Sequence, residues 1–234
     1  LFSNQTKLKE ILLKSSNEEL NPVLINVYLT PGLQKYLDGS TVLNTKKFGI
    51  LPGLIEPDVL QSIQALPGVE STNESIANIN VRGGTNDQNL MVWDNIKMYH
   101  SGHFFGLISA YNPNLTNKVI VTKNGTSAEY SDGVSSTINM FTNDEVSNSF
   151  SGGAGINLIN ADAFLAIPIA KNLEIDISGR RSVTDLFNTP TFTNYYKRSF
   201  QDSEINADSH QNNTNSDFYF YDYTAKILFD LNEK

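Results

Sequence analysis

The chain of 234 residues contains no cysteine, so neither a disulfide framework nor a thiolate metal site can form. Its longest apolar runs, such as Val23 to Leu29, fall far short of the roughly 20 residues that a membrane-spanning helix requires. Basic residues are few: 17 Lys and Arg against 25 Asp and Glu give a net charge of -8. Without clustered cations to grip a phosphate backbone, nucleic acid is excluded as a partner. No Ser-His-Asp order or phosphate loop occurs, and nothing pairs two of the candidate acids Asp58, Asp87, Asp94 and Glu129, so the chain is not expected to be an enzyme. The lack of an apolar helix leaves a membrane barrel open. Barrel strands alternate lipid-facing with lumen-facing residues, which keeps mean hydropathy low, and the value of -0.28 fits that pattern.

What is present falls into two textures. Residues 1–20 are largely polar and charged, with a brief apolar run at Leu8, Ile11, Leu12 and Leu13, and are expected to form a flexible segment. Val23 to Leu29 then suits a first strand, followed by turn signals at Pro31-Gly32 and Asp38-Gly39. Glu56-Pro57-Asp58 opens a short helix, since proline is tolerated at the first helical position and acids suit the positive end of the dipole. Pro67-Gly68 stops it, and Val59, Leu60, Ile63 and Leu66 form its apolar face. Ile76 to Arg82, Asn89 to Trp93, Lys118 to Lys123 and Thr137 to Phe141 read as strands, giving an α+β unit.

Beyond Phe150 period two dominates. Ala163, Leu165, Ile167 and Ile169 share one parity, as do Leu173, Ile175 and Ile177, and then Tyr219, Tyr221, Tyr223, Ala225, Ile227, Phe229 and Leu231. Three tyrosines at one end of an apolar face match an aromatic girdle at a membrane interface. Ala170-Lys171-Asn172 is a tight turn, whereas Val183 to Ser216 is a long polar connection, the asymmetry expected of barrel turns and outer loops. Four strands cannot close a membrane barrel, so further strands are expected after Lys234. The start at Leu1, with no methionine or signal peptide, leads us to expect that a targeting segment has been removed.

Three stretches in fixed order carry a family likeness: LPGLIEPDVLQSIQALPGVES, INVRGGTNDQNLMVWDNIKMYHSGHFFGLISAYNP and KVIVTKNGTSAEYSDGVSSTINMFT. Together they resemble the plug of TonB-dependent outer-membrane receptors, especially the form common in Bacteroidetes. Asp94-Asn95 stands where the family usually has Asp-Gly, and asparagine also tolerates positive φ, so a tight hairpin is kept. The resemblance implies an α+β plug domain with a mixed β-sheet and short helices at 21–143, followed at 144–234 by antiparallel β-strands of an incomplete transmembrane β-barrel. Implied too are import of a nutrient ligand across the outer membrane, reached from the periplasm by the TonB–ExbB–ExbD energising complex, and contact with outer-membrane lipid. No cofactor is expected.

The same resemblance assigns roles to residues. Arg82, Gly83 and Gly84 would hold the plug against barrel-wall carboxylates. Tyr99, His100, His103 and Phe104 would meet ligand at the plug apex, and their aromatic, hydrogen-bonding composition suits a polar ligand. Leu8, Lys9, Glu10, Ile11, Leu12 and Leu13 resemble the TonB box, with Leu20 to Val27 as a second choice. A metal role for His100 and His103 lacks a third ligand, and Ser101-Gly102 breaks any helix between them, so no metal site is expected. The alternative from another class is a soluble periplasmic binding or interaction module with a β-rich tail. Such a module would bury Tyr219, Tyr221 and Tyr223.

Overall fold

Two sheets with opposite burial patterns organise the chain. The computed structural model describes residues 27–54, 57–72, 75–186, 189–199 and 219–231. The first sheet has seven strands: β1 (Val27–Thr30), β2 (Leu33–Lys35), β3 (Thr41–Asn44), β6 (Asn89–Trp93), β7 (Ile96–Met98), β10 (Lys118–Lys123) and β11 (Ser136–Phe141), in spatial order β1-β2-β3-β10-β11-β6-β7. Only β11 with β6 is parallel, and the other pairings are antiparallel, so the sheet is mixed. Its middle strands bury Leu43, Val119, Val121, Ile138 and Met140 completely.

Two short helices flank it, α1 (Thr45–Phe48) and α2 (Val59–Gln64). Asp58 caps α2, its Oδ1 accepting the Gln61 N–H at 2.9 Å, which satisfies one of the donors orphaned at a helix start. Val59, Leu60 and Ile63 are then fully buried in the core, each stabilising by roughly 1.5–3 kcal/mol. A small hairpin, β4 (Val69–Ser71) with β5 (Ile79–Val81), follows. The strand expected over Ile76 to Arg82 is shorter, because Ser75 accepts the Ala77 N–H and winds Ile76–Asn78 into a 3-10 turn. Between β6 and β7, Asp94 and Asn95 both take positive φ, 44° and 66°, forming the tight hairpin that their residue types favour. A second small hairpin, β8 (Gly102–His103) with β9 (Ile108–Ser109), lies between β7 and β10.

The second sheet is an antiparallel meander of β12 (Ser151–Ile156), β13 (Asn160–Ala170), β14 (Leu173–Ser182) and β15 (Tyr221–Phe229). Lys171-Asn172 alone joins β13 to β14, with Ala170 paired to Leu173. The cross-strand register aligns Leu165, Ile177 and Ala225 on one face, and Ile167, Ile175 and Ile227 beside them. That face is turned outward: Ile177, Ile227 and Phe229 are about half exposed or more. The sheet is open, not closed into a barrel. The connection from β14 to β15, expected to be a polar loop, carries helix α3 (Pro190–Ser199), whose Phe192 is buried.

Candidate functional site

Because side chains alternate across a strand, the parity that turns apolar residues outward turns charged ones toward the first sheet. Lys226 shows the result. Its ammonium donates to Asp94 Oδ2 at 3.1 Å, Thr142 Oγ1 at 2.8 Å and the Asn143 carbonyl at 2.7 Å, which uses all three of its hydrogens. Asp94 in turn accepts the Thr142 N–H at 2.9 Å. Lower on the same seam, Glu174 Oε2 accepts the Ser147 N–H at 2.6 Å, and the Asn114 side-chain amide donates to Asp162 Oδ2 at 2.9 Å.

Higher up, Arg180 is 4 % exposed and binds Asp222 Oδ2 through Nε at 2.9 Å and Nη2 at 2.6 Å, while Nη2 also reaches the Ser109 carbonyl at 2.8 Å. The planar guanidinium fork permits this simultaneous grip on carboxylate and backbone. His103 Nε2 lies 2.9 Å and 3.1 Å from the two Asp222 oxygens, and its ring stacks on Phe220 at 4.1 Å. Ser109 is held from its other side too, because its N–H donates to Asp58 Oδ2 at 2.9 Å. Burial pushes the Asp58 carboxyl above the usual carboxylate range, against hydrogen bonds from Gln61 and Ser109 and the charge of Arg180 that pull it down. One polar chain therefore runs from the start of α2 through Ser109 to the inner face of β14 and β15.

The expected apical residues divide. Tyr99 is 88 % exposed with the Lys97 ammonium 5.0 Å from its ring centre, and His100 is exposed beside a cavity of about 500 Å³ that His103, Tyr111, Arg180 and Asp222 also line. His103 is instead committed to Asp222. Phe104 is 3 % exposed and packs edge-on against Phe192 of α3 at 5.8 Å and Phe220 at 5.7 Å. Its ring therefore joins the loop to the first sheet and offers no face to a ligand in this arrangement.

Arg82 and Gly83 form a turn with successive positive φ of 48° and 81°. The Arg82 guanidinium approaches the Lys123 carbonyl at 3.4 Å, within the first sheet's own unit. Gly84 is required by close approach: a Cβ there would fall 2.6 Å from that of Ser135, whose hydroxyl donates to the Val81 carbonyl. Leu8 to Leu13 lie outside the described residues. Sequence reasoning missed Asp94, Arg180, Asp222 and Lys226 as seam residues. The available signal was parity, since the last three are charges at inward positions of strands whose other face is apolar. Among the described residues no group of three His, Cys, Asp or Glu is gathered to hold a metal. No described helix is long and apolar enough to cross a membrane, which says nothing of strands.

No curated protein matches the chain. Among solved structures it is similar to the siderophore receptor PirA from Pseudomonas aeruginosa, at 18% identity and a TM-score of 0.49, over 63% of this chain and 28% of that one. It is also similar to the ferric-catecholate import receptor Fiu from E. coli K12, at 17% identity and 0.44, over 61% and 21%. A third is the outer membrane transporter YddB from Escherichia coli, at 12% identity and 0.47, over 68% and 28%. The chain spans less than a third of the length of each. Likenesses this distant add nothing to the assignment. The family model of the TonB-dependent receptor plug domain matches residues 56–138, a stretch that takes in α2, the Arg82-Gly83-Gly84 turn, the Asp94-Asn95 hairpin and the Tyr99 to Phe104 segment. Residues 56–138 are therefore a TonB-dependent receptor plug domain.

Proposed function

We propose that this chain is the plug and first wall strands of a TonB-dependent transporter, which imports a nutrient ligand across the bacterial outer membrane while the plug gates the barrel. Residues 1–20 carry the segment engaged by the TonB–ExbB–ExbD complex from the periplasm, 21–143 form the plug, and 144–234 are the first four strands of the wall. The observation that carries this is the inverted second sheet. Its apolar face points outward with Tyr219, Tyr221 and Tyr223 at 55%, 60% and 75% exposure, while its charged face grips the plug. A soluble binding module would bury those rings, whereas lipid accepts them at the interface.

The two-residue turn at Lys171-Asn172 then lies on the periplasmic side, and α3 lies outside, packed on the plug through Phe104. Tyr99 and His100 are the exposed residues through which ligand contacts the plug, with His103 and Phe104 behind them. Ligand binding biases the plug, the N-terminal segment becomes available, and energised movement of the plug opens a path. The test is to recover the full-length protein from outer membranes and run it on a denaturing gel with and without boiling. Faster migration of the unboiled sample is expected from a closed barrel. A soluble protein without a heat shift would overturn the proposal. Deleting Leu8 to Leu13 should abolish energised uptake and leave ligand binding intact.

A further inference from the structure

Charge is divided unequally between the two faces of the second sheet. Asp162, Glu174, Asp176, Arg180, Asp222 and Lys226 all take the inward parity, and Arg181 alone among the charged residues of β12–β15 takes the outward one. It stands directly opposite Tyr221 on one side and Ala161 on the other. One outward pair lower, Gly179 faces Tyr223, whose ring lies over it: a Cβ on Gly179 would fall 3.3 Å from two ring carbons. The rings of Tyr221 and Tyr223 are 5.8 Å apart. Arg181 therefore has aromatic rings on one flank, while on the other stand Ala161 and Ala163, whose methyl groups are too short to cover it.

Height decides what such a cation meets. Facing acyl chains it is costly at the bilayer midplane and nearly free at the interface. From Leu173 to Arg181 the strand climbs roughly 27 Å, or about 20 Å along the membrane normal at a barrel strand's tilt, close to the usual apolar band of about 25 Å. Leu173, Ile175 and Ile177 occupy that band, and Arg181 stands at its upper edge beside the tyrosines. Its Nη2 is paired with Asp185, yet the side chain is still 47% exposed. An exposed pair of this kind is weak and open to competition. Among the described residues neither Nε and Nη1 of Arg181 nor the Tyr221 hydroxyl has a hydrogen-bond acceptor.

We infer that Arg181 and Tyr221 seat the headgroup of an anionic, phosphate-bearing lipid of the outer leaflet, the guanidinium fork taking phosphate oxygens and the phenol donating beside it. The inference rests on the barrel reading above, which puts this end of β14 on the outer side. Charge complementarity selects the occupant. Acyl chains alone would leave the guanidinium without acceptors, whereas a phosphate at that depth supplies them. The contact fixes how high β14 rides in the bilayer.

The test incubates the full-length protein in detergent with dioleoylphosphatidylglycerol or with dioleoylglycerol and counts bound lipid by native mass spectrometry. Wild type should retain the phosphatidylglycerol and not the uncharged lipid. Arg181→Met should retain about fivefold less of it, and Asp185→Asn, which removes the competing carboxylate, should retain more. Equal retention by wild type and Arg181→Met would overturn the inference and leave an ion pair with Asp185 only. Equal retention of the two lipids would overturn it as well, by reducing the seat to an apolar face. The heat shift on a denaturing gel is read alongside for wild type and variants. Where it is present and lipid retention fails, only this inference falls; its absence in wild type removes the barrel reading too.

Discussion

The seven-stranded and four-stranded sheets obey the same alternation and put it to opposite use. In the first, Leu43, Val119 and Ile138 turn inward to a core with α2, and Ser136 and Thr137 of β11 are buried as well. In the second, Leu165, Ile169, Ile177, Ile227 and Phe229 are exposed, and the buried positions include Glu174, Ser178, Arg180 and Ser182. One region is held by apolar area removed from water, the other by hydrogen bonds and ion pairs to its neighbour together with the small apolar cluster of Phe104, Phe192 and Phe220. Period two therefore states that a strand has two faces; which face is the inside depends on what surrounds the molecule.

The sharpest way to break this contrast is to make the same kind of change in each region. Ile63→Ala in the plug core should cost about 2–5 kcal/mol in denaturant unfolding. Ile227→Ala, at 69 % exposure, should cost less than about 0.5 kcal/mol in detergent. Equal losses would erase the distinction between the regions. Ile227→Lys should then separate the solvents: about 2–4 kcal/mol in a lipid bilayer if the position lies near its midplane, with little effect in water. Assembly of the variant into outer membranes at wild-type yield would contradict the outward lipid face.

Cutting the seam comes next. Arg180→Met leaves Asp222 with His103 alone, and because Asp222 is a quarter exposed the loss should sit near the low end for a broken buried pair, about 3 kcal/mol. Pairing it with Asp222→Asn in a double-mutant cycle should recover part of that loss, and strict additivity would mean the pair does not couple. Asp58→Ala removes both the α2 cap and the Ser109 anchor, for about 0.5–2 kcal/mol.

The smallest effect is one of pH. Because folding raises the Asp58 carboxyl above its ordinary value, the folded state binds that proton more tightly than the unfolded chain. The stability this gives is full below the ordinary carboxylate value and is lost as pH rises through the raised one. Comparing wild type with Asp58→Asn across mildly acid pH should show that slope in wild type alone.

The residues announced local elements well and distant partners poorly. β6 and β10 occupy Asn89–Trp93 and Lys118–Lys123, the stretches their β-branched and apolar composition marks out, whereas α2 starts later than the sequence suggests, with Asp58 as its cap and Pro57 outside the helix instead of at its first position. The 3-10 turn at Ile76–Asn78 escaped because Ile76 and Ile79 fit a strand, and a single capping bond from Ser75 decided otherwise. Helix α3 escaped because Thr, Asn and Tyr are weak helix formers; its place is set by Phe192 meeting Phe104 and Phe220, a tertiary override of propensity. Parity marked the inward charges of the seam, but their partners were not legible. His103 and Asp222 are 119 residues apart, and Lys226 and Asp94 132 apart, so no period or motif links them.

The strand order β1-β2-β3-β10 puts the chain's first described strand at the rim of its sheet. Each of β1, β2 and β3 is bonded onward to the next, and only β3 touches β10. Tension drawn on the chain from the side of β1 would meet those pairings in turn, as a zip is met tooth by tooth, instead of loading them all at once. Rupture would proceed inward from β1 to β3 before β10, β11, β6 and β7 were strained. Topology thus writes a schedule: three strands can be drawn away while the four that carry the Asp94 hairpin and its grip on Lys226 remain assembled.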